Sequence, residues 1–189
     1  MKLLEDRILS DGRVLPGGIL KVDNFLNHQI DTSLLYEMAK EFYRLFGGEG
    51  VNKILTIEAS GIAIAAVTGV VFGCPMVFAK KSKTKNISDN VWSAEVVSFT
   101  HGNTSTVLVS KDYLHAGDRV LIVDDFLATG AALIGLKSLC EQAGAEVVGA
   151  GIAIEKRFQG GGDELRAAGM RIESLARIVE MSDDSLRFG

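Results

Sequence analysis

The chain has 189 residues, of which 47% are hydrophobic and 23% charged, and it contains 2 prolines. This composition is typical of one globular domain and excludes wholesale disorder and collagen-like or mucin-like classes. The 20 basic and 24 acidic residues give a formal net charge of −4, so the overall field favours neither nucleic acid nor an anionic membrane as a partner. Any polyanionic ligand must therefore be bound by a local site.

The amino terminus and the cysteines predict a cytoplasmic protein. Charged residues interrupt residues 1–7, whereas a secretory signal needs a continuous apolar stretch. The longest apolar run, residues 61–72, is shorter than the roughly 20 residues that span a bilayer. Cys74 and Cys140 lie in apolar surroundings without the spacing of a zinc site, so we expect two buried, reduced thiols.

Apolar periodicity predicts helices and strands that alternate after an irregular amino-terminal segment. Residues 1–33 contain Gly12, Pro16, Gly17 and Gly18, and we expect them to form an irregular cap on the core, called the hood below. The elements predicted next are a helix over 34–46 with Asp31 or Thr32 as N-cap and Gly47 as stop, a strand over 53–57, a helix over 61–72 and a strand over 75–79.

The second half of the chain adds a hairpin and then returns to the alternation. The predicted elements are hairpin strands over 94–99 and 105–110 with a tip at 100–103, a strand over 119–123, a helix over 130–143 ended by Gly144, a strand over 146–154, a helix over 163–168 and a strand over 171–179. Strands that alternate with helices predict an α/β fold with a parallel sheet covered on both faces, here in a single domain over 1–189. Ligands of such sheets bind at the carboxyl ends of the strands.

The most informative stretch is residues 120–132, Val-Leu-Ile-Val-Asp-Asp-Phe-Leu-Ala-Thr-Gly-Ala-Ala. Its first four residues are apolar and predict a buried strand. We therefore expect Asp124 and Asp125 at the carboxyl end of this strand, exposed to the cleft, where they can accept hydrogen bonds from vicinal hydroxyls of a ligand. The small residues that follow open a helix and leave backbone N–H groups uncovered near the positive end of its dipole. This order favours a sugar phosphate as ligand, with its 5′-phosphate on residues 128–132.

An acidic pair alone is readily explained by a solvated turn before a helix, but the thirteen-residue order is much more specific. The stretch resembles the phosphoribosyl pyrophosphate (PRPP) signature of type I phosphoribosyltransferases. The resemblance implies their fold, a parallel sheet flanked by helices with a hood and a flexible hairpin loop. It also implies catalytic roles for Asp124 and Asp125 and a PRPP-binding role for the loop that follows them, residues Ala128, Thr129, Gly130, Ala131 and Ala132.

Three further regions fit the same family. The loop between the strand over 53–57 and the next helix has the position at which these enzymes bind pyrophosphate through backbone amides, here at Ala59 and Ser60; a plain turn with Ser60 as N-cap is the alternative. Lys81, in a lysine-rich run, is expected to contact the departing pyrophosphate, although such runs are more commonly a solvated face. Residues 80–112 would then form the flexible catalytic loop that closes over the reacting centre.

Residues 12–31 resemble the amino-terminal segment of bacterial phosphoribosyltransferases that act on xanthine. By that resemblance, Leu20 and Asn27 contact the purine and Lys156 donates to its oxo oxygen. Xanthine has two exocyclic oxygens and no amino group, and lysine offers three donors and no acceptor, so the pairing is chemically reasonable. Without the resemblance, a surface cation at Lys156 and a loop residue at Asn27 would be the preferred interpretation.

The reaction implied by the resemblance is displacement of pyrophosphate from PRPP by a ring nitrogen of xanthine, which gives xanthosine 5′-monophosphate in purine salvage. The resemblance also implies a homodimer and a need for Mg²⁺, held mainly by substrate oxygens and water, so we predict no protein ligand to the metal. Some purine enzymes of this family carry an aspartate just before the Thr-Gly pair, where this chain has Ala128. The general base is therefore unassigned.

Two alternatives stay open. Only the hood and Lys156 separate a xanthine enzyme from one that uses hypoxanthine, guanine or adenine. A DNA-binding regulator that senses PRPP without catalysis is less favoured, because a net charge of −4 does not suit a phosphate-backbone partner. We therefore expect the small-molecule substrates xanthine and PRPP, and neither nucleic acid nor a membrane.

Overall fold

A computed structural model describes residues 1–81, 90–98 and 103–189 of the chain. Its helices and strands are, in chain order, α1 (Lys2–Asp11), β1 (Arg13–Leu15), β2 (Ile19–Lys21), α2 (Thr32–Phe46), β3 (Lys53–Ile57), α3 (Gly61–Phe72), β4 (Met76–Ala79), β5 (Val91–Ser98), β6 (Asn103–Ser110), β7 (Arg119–Leu127), α4 (Ala131–Ala143), β8 (Glu146–Lys156), α5 (Gly161–Ala167), β9 (Ile172–Met181) and β10 (Leu186–Phe188).

Six strands form the central sheet, in the order β10-β9-β8-β7-β3-β4. The strands from β9 to β4 pair in parallel, which confirms the predicted α/β class, whereas β10 pairs antiparallel with β9. The sequence analysis did not predict β10, which adds an antiparallel strand at this edge. A three-residue strand can return directly after the turn at residues 182–185, because antiparallel neighbours need no crossover helix.

Apolar side chains cover both faces of the sheet, as predicted. On one face, buried side chains of α1, α2 and α3 belong to the same hydrophobic cluster as Leu121 and Val123 of β7. On the other face, buried side chains of α4 and of the hairpin strands β5 and β6 share a cluster with Val120 and Ile122. This alternation within one strand is the period-two pattern of a strand buried on both faces, and it leaves the ends of the strands as the open edge of the sheet.

The amino-terminal segment, residues 1–33, is more regular than the sequence predicted. α1 packs Leu4 and Ile8 into the core, β1 and β2 form an antiparallel hairpin, and residues 23–27 form a π-helical turn. The prediction of an irregular segment is therefore wrong. β1 and β2 have only three residues each, which is too short to show a clear apolar period. α1 has ten residues but only two buried side chains, so its apolar period is also weak.

Most of the other predicted elements are confirmed, some with different bounds. β3 and α3 have the predicted ranges, and the side chain of Asp31 caps α2 by accepting two backbone hydrogen bonds of 3.1 Å. α2 ends at Phe46 with Gly47 as its C-cap, as predicted, and a short 3₁₀ turn over Gly47–Glu49 follows it. β7 and β8 run on to Leu127 and Lys156, beyond their predicted ends, which changes the setting of the site residues.

β5 and β6 form the predicted hairpin, with Val91 opposite Ser110. Both strands begin earlier than predicted and β5 includes Trp92, whose Nε1 donates a 3.0 Å hydrogen bond to the carbonyl oxygen of Leu114. Of the predicted tip, only Asn103 belongs to the described residues. Most of the lysine-rich run also lies outside them.

Both cysteines are free. Cys140 is buried in α4, where burial raises the pKa of its thiol to about 12. Cys74 is only half-buried, in the loop after α3, so the prediction of two buried thiols is wrong for this residue. Among the described residues, no helix has the length and the apolar character to cross a membrane.

Candidate active site

A cavity of about 470 Å³ lies at the carboxyl ends of β3 and β7. Its lining consists of the two loops that follow these strands, with four residues from other elements, namely residues 57–61 and 124–133 with Lys81, Val96, Ser105 and Gln159. Because β3 and β7 are parallel neighbours, their carboxyl-end loops face the same cleft. The structure thus brings together every residue that the sequence assigned to PRPP.

The loop from Ala128 to Ala132 presents bare backbone to this cavity. Gly130 adopts a φ of 84°, which favours glycine, and the chain enters α4 directly after it. No side chain in the described ranges caps the amino end of α4, and alanine methyl groups are too small to cover its first N–H groups. An anion of the size of a phosphate group suits this arrangement.

Asp124 and Asp125 both line the cavity, but they differ in exposure. The prediction that both carboxylates are exposed is wrong for Asp124, which is 4% exposed because β7 continues to Leu127 and keeps this residue within the sheet. Its Oδ1 accepts a 3.0 Å hydrogen bond from the backbone N–H of Asp125. Asp125 is half-buried, so it is the more accessible of the two acids.

The buried acid has an altered proton affinity. Burial raises the pKa of the Asp124 carboxyl well above its ordinary value, and the neighbouring Asp125 raises it further. The backbone N–H of Asp125 and the cation of Lys81 lower the pKa, but by less. Asp124 therefore keeps its proton more readily than an ordinary aspartate, and a protonated carboxyl group can donate as well as accept a hydrogen bond.

The loop between β3 and α3 contributes a second part of the lining. Ala59 and Ser60 line the cavity. Ser60 occupies the N-cap position of α3, but its side chain makes no capping hydrogen bond within the described part of the chain. The peptide bond before Ala59 is cis. Glu58 Oε1 accepts a 2.6 Å hydrogen bond from the backbone N–H of Lys81, which joins this loop to the end of β4 and brings a lysine to the cavity wall.

None of the three residues assigned to the purine lines the cavity. Leu20 is buried, and the Oδ1 atom of Asn27 is buried without a hydrogen-bond partner among the residues described. Lys156 Nζ donates a 2.8 Å hydrogen bond to the carbonyl oxygen of Gly18 and lies 5.5 Å from the centre of the Phe126 ring. Since Phe126 lines the cavity, it connects Lys156 with the PRPP residues.

Several lining residues were missed by the sequence analysis. Glu58 and Phe126 are next to predicted residues in the sequence, so adjacency to a motif could have indicated them. Val96 and Ser105 reach the cavity from the hairpin strands, and Gln159 reaches it from the 3₁₀ turn after β8. No spacing in the sequence relates these three residues to the loops, because only the fold brings them close.

The cavity offers oxygen atoms but no complete protein cage for a metal. Within residues 1–81, 90–98 and 103–189, no cluster of three or more His, Cys, Asp or Glu side chains could hold a metal ion. The carboxylates of Asp124 and Asp125 are hard oxygen ligands of the kind that Mg²⁺ prefers. This donor set fits a Mg²⁺ ion that takes most of its ligands from a substrate and from water.

Fold and site together define a class of protein: an α/β protein with a cavity at the carboxyl edge of its sheet whose lining suits a phosphorylated sugar. Comparison with known proteins makes the class specific. The Phosphoribosyl transferase domain family matches residues 21–166. The chain belongs to the phosphoribosyltransferase family.

Full-length relatives carry a more specific name. A xanthine phosphoribosyltransferase of Finegoldia magna is 56% identical over 188 residues, which cover 100% of this chain and 99% of that protein. A xanthine phosphoribosyltransferase of Alkaliphilus metalliredigens is 54% identical over 188 residues, with 100% and 93% covered. The resemblance found in the sequence is thereby confirmed.

Solved structures agree on the fold. The crystal structure of APRTase from Giardia lamblia complexed with 9-deazaadenine superposes with a TM-score of 0.80 at 21% identity, covering 95% of this chain and 98% of that one. Adenine phosphoribosyltransferase from Thermoanaerobacter pseudethanolicus gives a TM-score of 0.75 at 25% identity, with 92% and 99% covered. The predicted type I phosphoribosyltransferase fold is confirmed.

Proposed function

We propose that the chain transfers the 5-phosphoribosyl group of PRPP to xanthine, with xanthosine 5′-monophosphate and pyrophosphate as products. The observation that carries the proposal is its similarity, along the whole chain, to proteins named xanthine phosphoribosyltransferase. The cavity supports it independently, because two acids beside a bare-amide loop suit a ribose 5-phosphate and a second loop in the lining suits the pyrophosphate.

PRPP is bound at both of its charged ends. Backbone N–H groups of residues 128–132 bind the 5′-phosphate, Asp125 accepts hydrogen bonds from the ribose hydroxyls with Asp124 beneath it, and backbone amides at Ala59 and Ser60 bind the pyrophosphate. Holding both ends fixes the orientation of the anomeric carbon.

The same contacts favour the transition state. As the bond from the anomeric carbon to the pyrophosphate breaks, the ribose gains oxocarbenium character and the leaving group gains negative charge. The carboxylate of Asp125 stabilises the cationic sugar, while the backbone amides and the ammonium group of Lys81 stabilise the departing pyrophosphate. These groups are already in place around the cavity, so little reorganisation accompanies the charge separation.

Mg²⁺ accompanies PRPP in this proposal. When bound to pyrophosphate oxygens and water, it neutralises negative charge on the leaving group. Asp124 and Asp125 would hold it through the ribose hydroxyls or through water, in keeping with the oxygen donors described above.

The purine binds beside Phe126, on the side of Lys156. Lys156 donates to an oxo oxygen of xanthine, and it does so by giving up or sharing its hydrogen bond to Gly18. Asn27 has a buried Oδ1 without a partner among the described residues, and a purine N–H would satisfy that acceptor. Leu20 contributes an apolar contact from the amino-terminal hairpin.

The proton on the attacking nitrogen needs no aspartate from the loop. The position before the Thr-Gly pair is Ala128, which cannot act as a base. Xanthine ionises near neutral pH, and the cation of Lys156 would favour the anion. We therefore include in the proposal that the enzyme selects ionised xanthine, which removes the need for a strong general base.

The proposal extends to the organisation of the protein. The chain acts as one catalytic domain, with residues 1–33 as a hood over the base and residues 80–112 as the loop that covers the reacting centre. It works as a homodimer in purine salvage in the cytoplasm, binding neither nucleic acid nor a membrane. The exposed apolar side chains of Tyr36, Tyr43 and Val70 on α2 and α3 support a subunit interface.

The experiment that tests the function is a parallel assay of xanthine, hypoxanthine, guanine and adenine with PRPP and Mg²⁺, followed by release of pyrophosphate. Xanthine is expected to give the highest kcat/KM. A preference for another purine would keep the phosphoribosyltransferase chemistry and overturn the assignment of the base. Binding of PRPP without turnover of any base would favour a non-catalytic regulator.

A further inference from the structure

The loop of residues 128–130, to which the proposed function assigns the 5′-phosphate, packs against α5, a helix that lies outside the sequence motif. A Cβ atom at Gly161 would lie 2.2 Å from the carbonyl carbon of Thr129 and 2.5 Å from the carbonyl oxygen of Ala128. The backbone of α5 is therefore in direct contact with the backbone of the loop. A second contact adjoins it, because a Cβ atom at Gly130 would lie 2.7 Å from Leu165 Cδ1.

The position of α5 is itself fixed by a buried ion pair. Glu155, near the end of β8, is 1% exposed, and both of its carboxylate oxygens accept 2.7 Å hydrogen bonds from the guanidinium of Arg166 on α5. Ser174 of β9 donates to the same carboxylate at 2.5 Å. Two parallel hydrogen bonds from one guanidinium define both distance and angle, so the pair holds α5 in one orientation.

The electrostatic setting of Glu155 agrees with a permanent pair. Burial acts to raise the pKa of its carboxyl, but the hydrogen bonds from Arg166 and Ser174 and the positive charges of Arg166 and Arg177 outweigh burial and hold the pKa below its usual range. Glu155 is thus ionised wherever the enzyme works. In the sheet, Glu155 lies opposite Leu127, the last residue of β7 before the phosphate loop.

We propose that Gly161, Glu155 and Arg166 are positioning residues for the PRPP phosphate: they press α5 against residues 128–130 and hold the N–H groups of that loop in the arrangement that binds the 5′-phosphate. None of the three lines the cavity, so they act through the loop. This inference rests on the proposed function, because it assigns the 5′-phosphate to that loop.

The contacts between α5 and the loop predict an effect confined to one end of PRPP. In the proposed function the pyrophosphate end lies on the loop between β3 and α3, and no residue of α5 lines the cavity. Displacement of residues 128–130 should therefore weaken binding of ribose 5-phosphate and leave binding of pyrophosphate intact. A general loss of stability would weaken both ligands together, so the ratio of the two affinities separates positioning from mere structural support.

The test measures the Kd of ribose 5-phosphate and of pyrophosphate, by calorimetry with Mg²⁺ present, for the wild type and for Gly161→Ala. Gly48→Ala is the matched control, because a Cβ at Gly48 would meet no side chain of the described residues within 4 Å beyond its chain neighbours. For Gly161→Ala we expect the Kd of ribose 5-phosphate to rise at least about tenfold and that of pyrophosphate to change less than about twofold. The control should match the wild type for both ligands.

Two substitutions of Arg166 provide a second test if the Gly161→Ala variant does not fold. Arg166→Lys keeps a cation but loses the two parallel hydrogen bonds, and Arg166→Met loses both charge and bonds while keeping much of the apolar stem. The Kd of ribose 5-phosphate should increase from wild type through Arg166→Lys to Arg166→Met, with pyrophosphate again unchanged. Equal changes for the two ligands, or unchanged binding of ribose 5-phosphate in folded variants, would overturn the positioning role. Failure of the wild type itself to bind ribose 5-phosphate would instead overturn the proposed function.

Discussion

Lys156 and Gly18 are separated by 138 residues in the sequence, yet Lys156 Nζ donates a 2.8 Å hydrogen bond to the carbonyl oxygen of Gly18. The bond connects the end of β8 to the turn of the amino-terminal hairpin. Burial lowers the pKa of the Lys156 ammonium, which means that its donors are poorly hydrated and need partners from the protein or from a ligand. This is the setting in which a lysine can select a base with oxygen acceptors.

Replacement of Lys156 by methionine should therefore reduce the use of xanthine specifically. Loss of a hydrogen bond from a charged donor costs about 1.5–3 kcal/mol, which corresponds to a drop of roughly 10- to 150-fold in kcat/KM for xanthine. The KM for PRPP should stay close to that of the wild type. Steady-state kinetics with each substrate varied in turn measures both effects. Lys137→Met, which changes an exposed lysine paired with Glu141 on α4, should behave as the wild type.

Asp125→Asn should weaken the use of PRPP. The amide keeps the shape of the side chain but loses the negative charge that strengthens hydrogen bonds from ribose hydroxyls, at a cost of about 1.5–3 kcal/mol in kcat/KM for PRPP. Asp6→Asn, an exposed substitution on α1, serves as the control. Kinetics of Asp125→Asn that match the control would remove Asp125 from the site.

The buried carboxyl of Asp124 should make stability depend on pH. Its pKa is raised in the folded state above the ordinary value of 3.8, so its protonated form stabilises the fold. That contribution is fully present below pH 3.8 and is lost as the pH rises through the raised pKa. The Asp124→Asn variant has no carboxyl group to ionise at this position. Its melting temperature should therefore rise relative to that of the wild type as the pH increases. Melting curves across acidic to neutral pH test this, and a difference that stays constant with pH would contradict it.

Selection of ionised xanthine should appear in the pH profile of turnover. With Ala128 in place of a base and Lys156 beside the purine, kcat/KM for xanthine should rise as the purine ionises and then level off. Hypoxanthine provides the control, since it remains neutral over the same range. A profile for xanthine that runs parallel to that for hypoxanthine would show that ionisation of the base is irrelevant to the reaction.

The core of the fold was predictable where apolar runs are long. β3 and α3 have continuous apolar sequences and were predicted with the correct bounds, and the alternation of strands and helices indicated the parallel core. β10 and the hairpin of β1 and β2 have three residues each per strand, and their pairing depends on neighbours that no local pattern reveals. The position of Asp124 was misjudged because Phe126 and Leu127 extend β7 beyond the acids.

The two loops that line the cavity were predictable from the sequence, but the residues that reach the cavity or pack against its loops from other elements were not. Each loop is one continuous motif, so the residues of 124–132 and the turn after β3 could be found from their order alone. Gln159 and Val96 come from distant segments, and Gly161 contacts the loop only because α5 folds back on it. Such contacts depend on the chain path between elements, which the spacing of residues does not encode.

Gly135 on α4 offers a test in which helix propensity and packing predict opposite results. Alanine usually stabilises a helix interior relative to glycine by about 0.5–1 kcal/mol. Here, however, a Cβ atom would lie 2.4 Å from Cγ2 of Val96 on β5, a residue that also lines the cavity. Overpacking costs about 1–3 kcal/mol, so Gly135→Ala should lower the melting temperature and, by displacing Val96, reduce turnover.

The double variant Gly135→Ala/Val96→Ala separates the effect of helix propensity from the effect of overpacking. Removing the Val96 methyl groups relieves the clash, so the second substitution should destabilise the Gly135→Ala background less than it destabilises the wild type. Thermal unfolding of the four proteins in the cycle measures that difference. If the two substitutions simply add, or if Gly135→Ala alone is more stable than the wild type, the contact between α4 and the hairpin does not require glycine. A positive result would mean that close packing on α4 sets the position of β5, and with it one wall of the cavity.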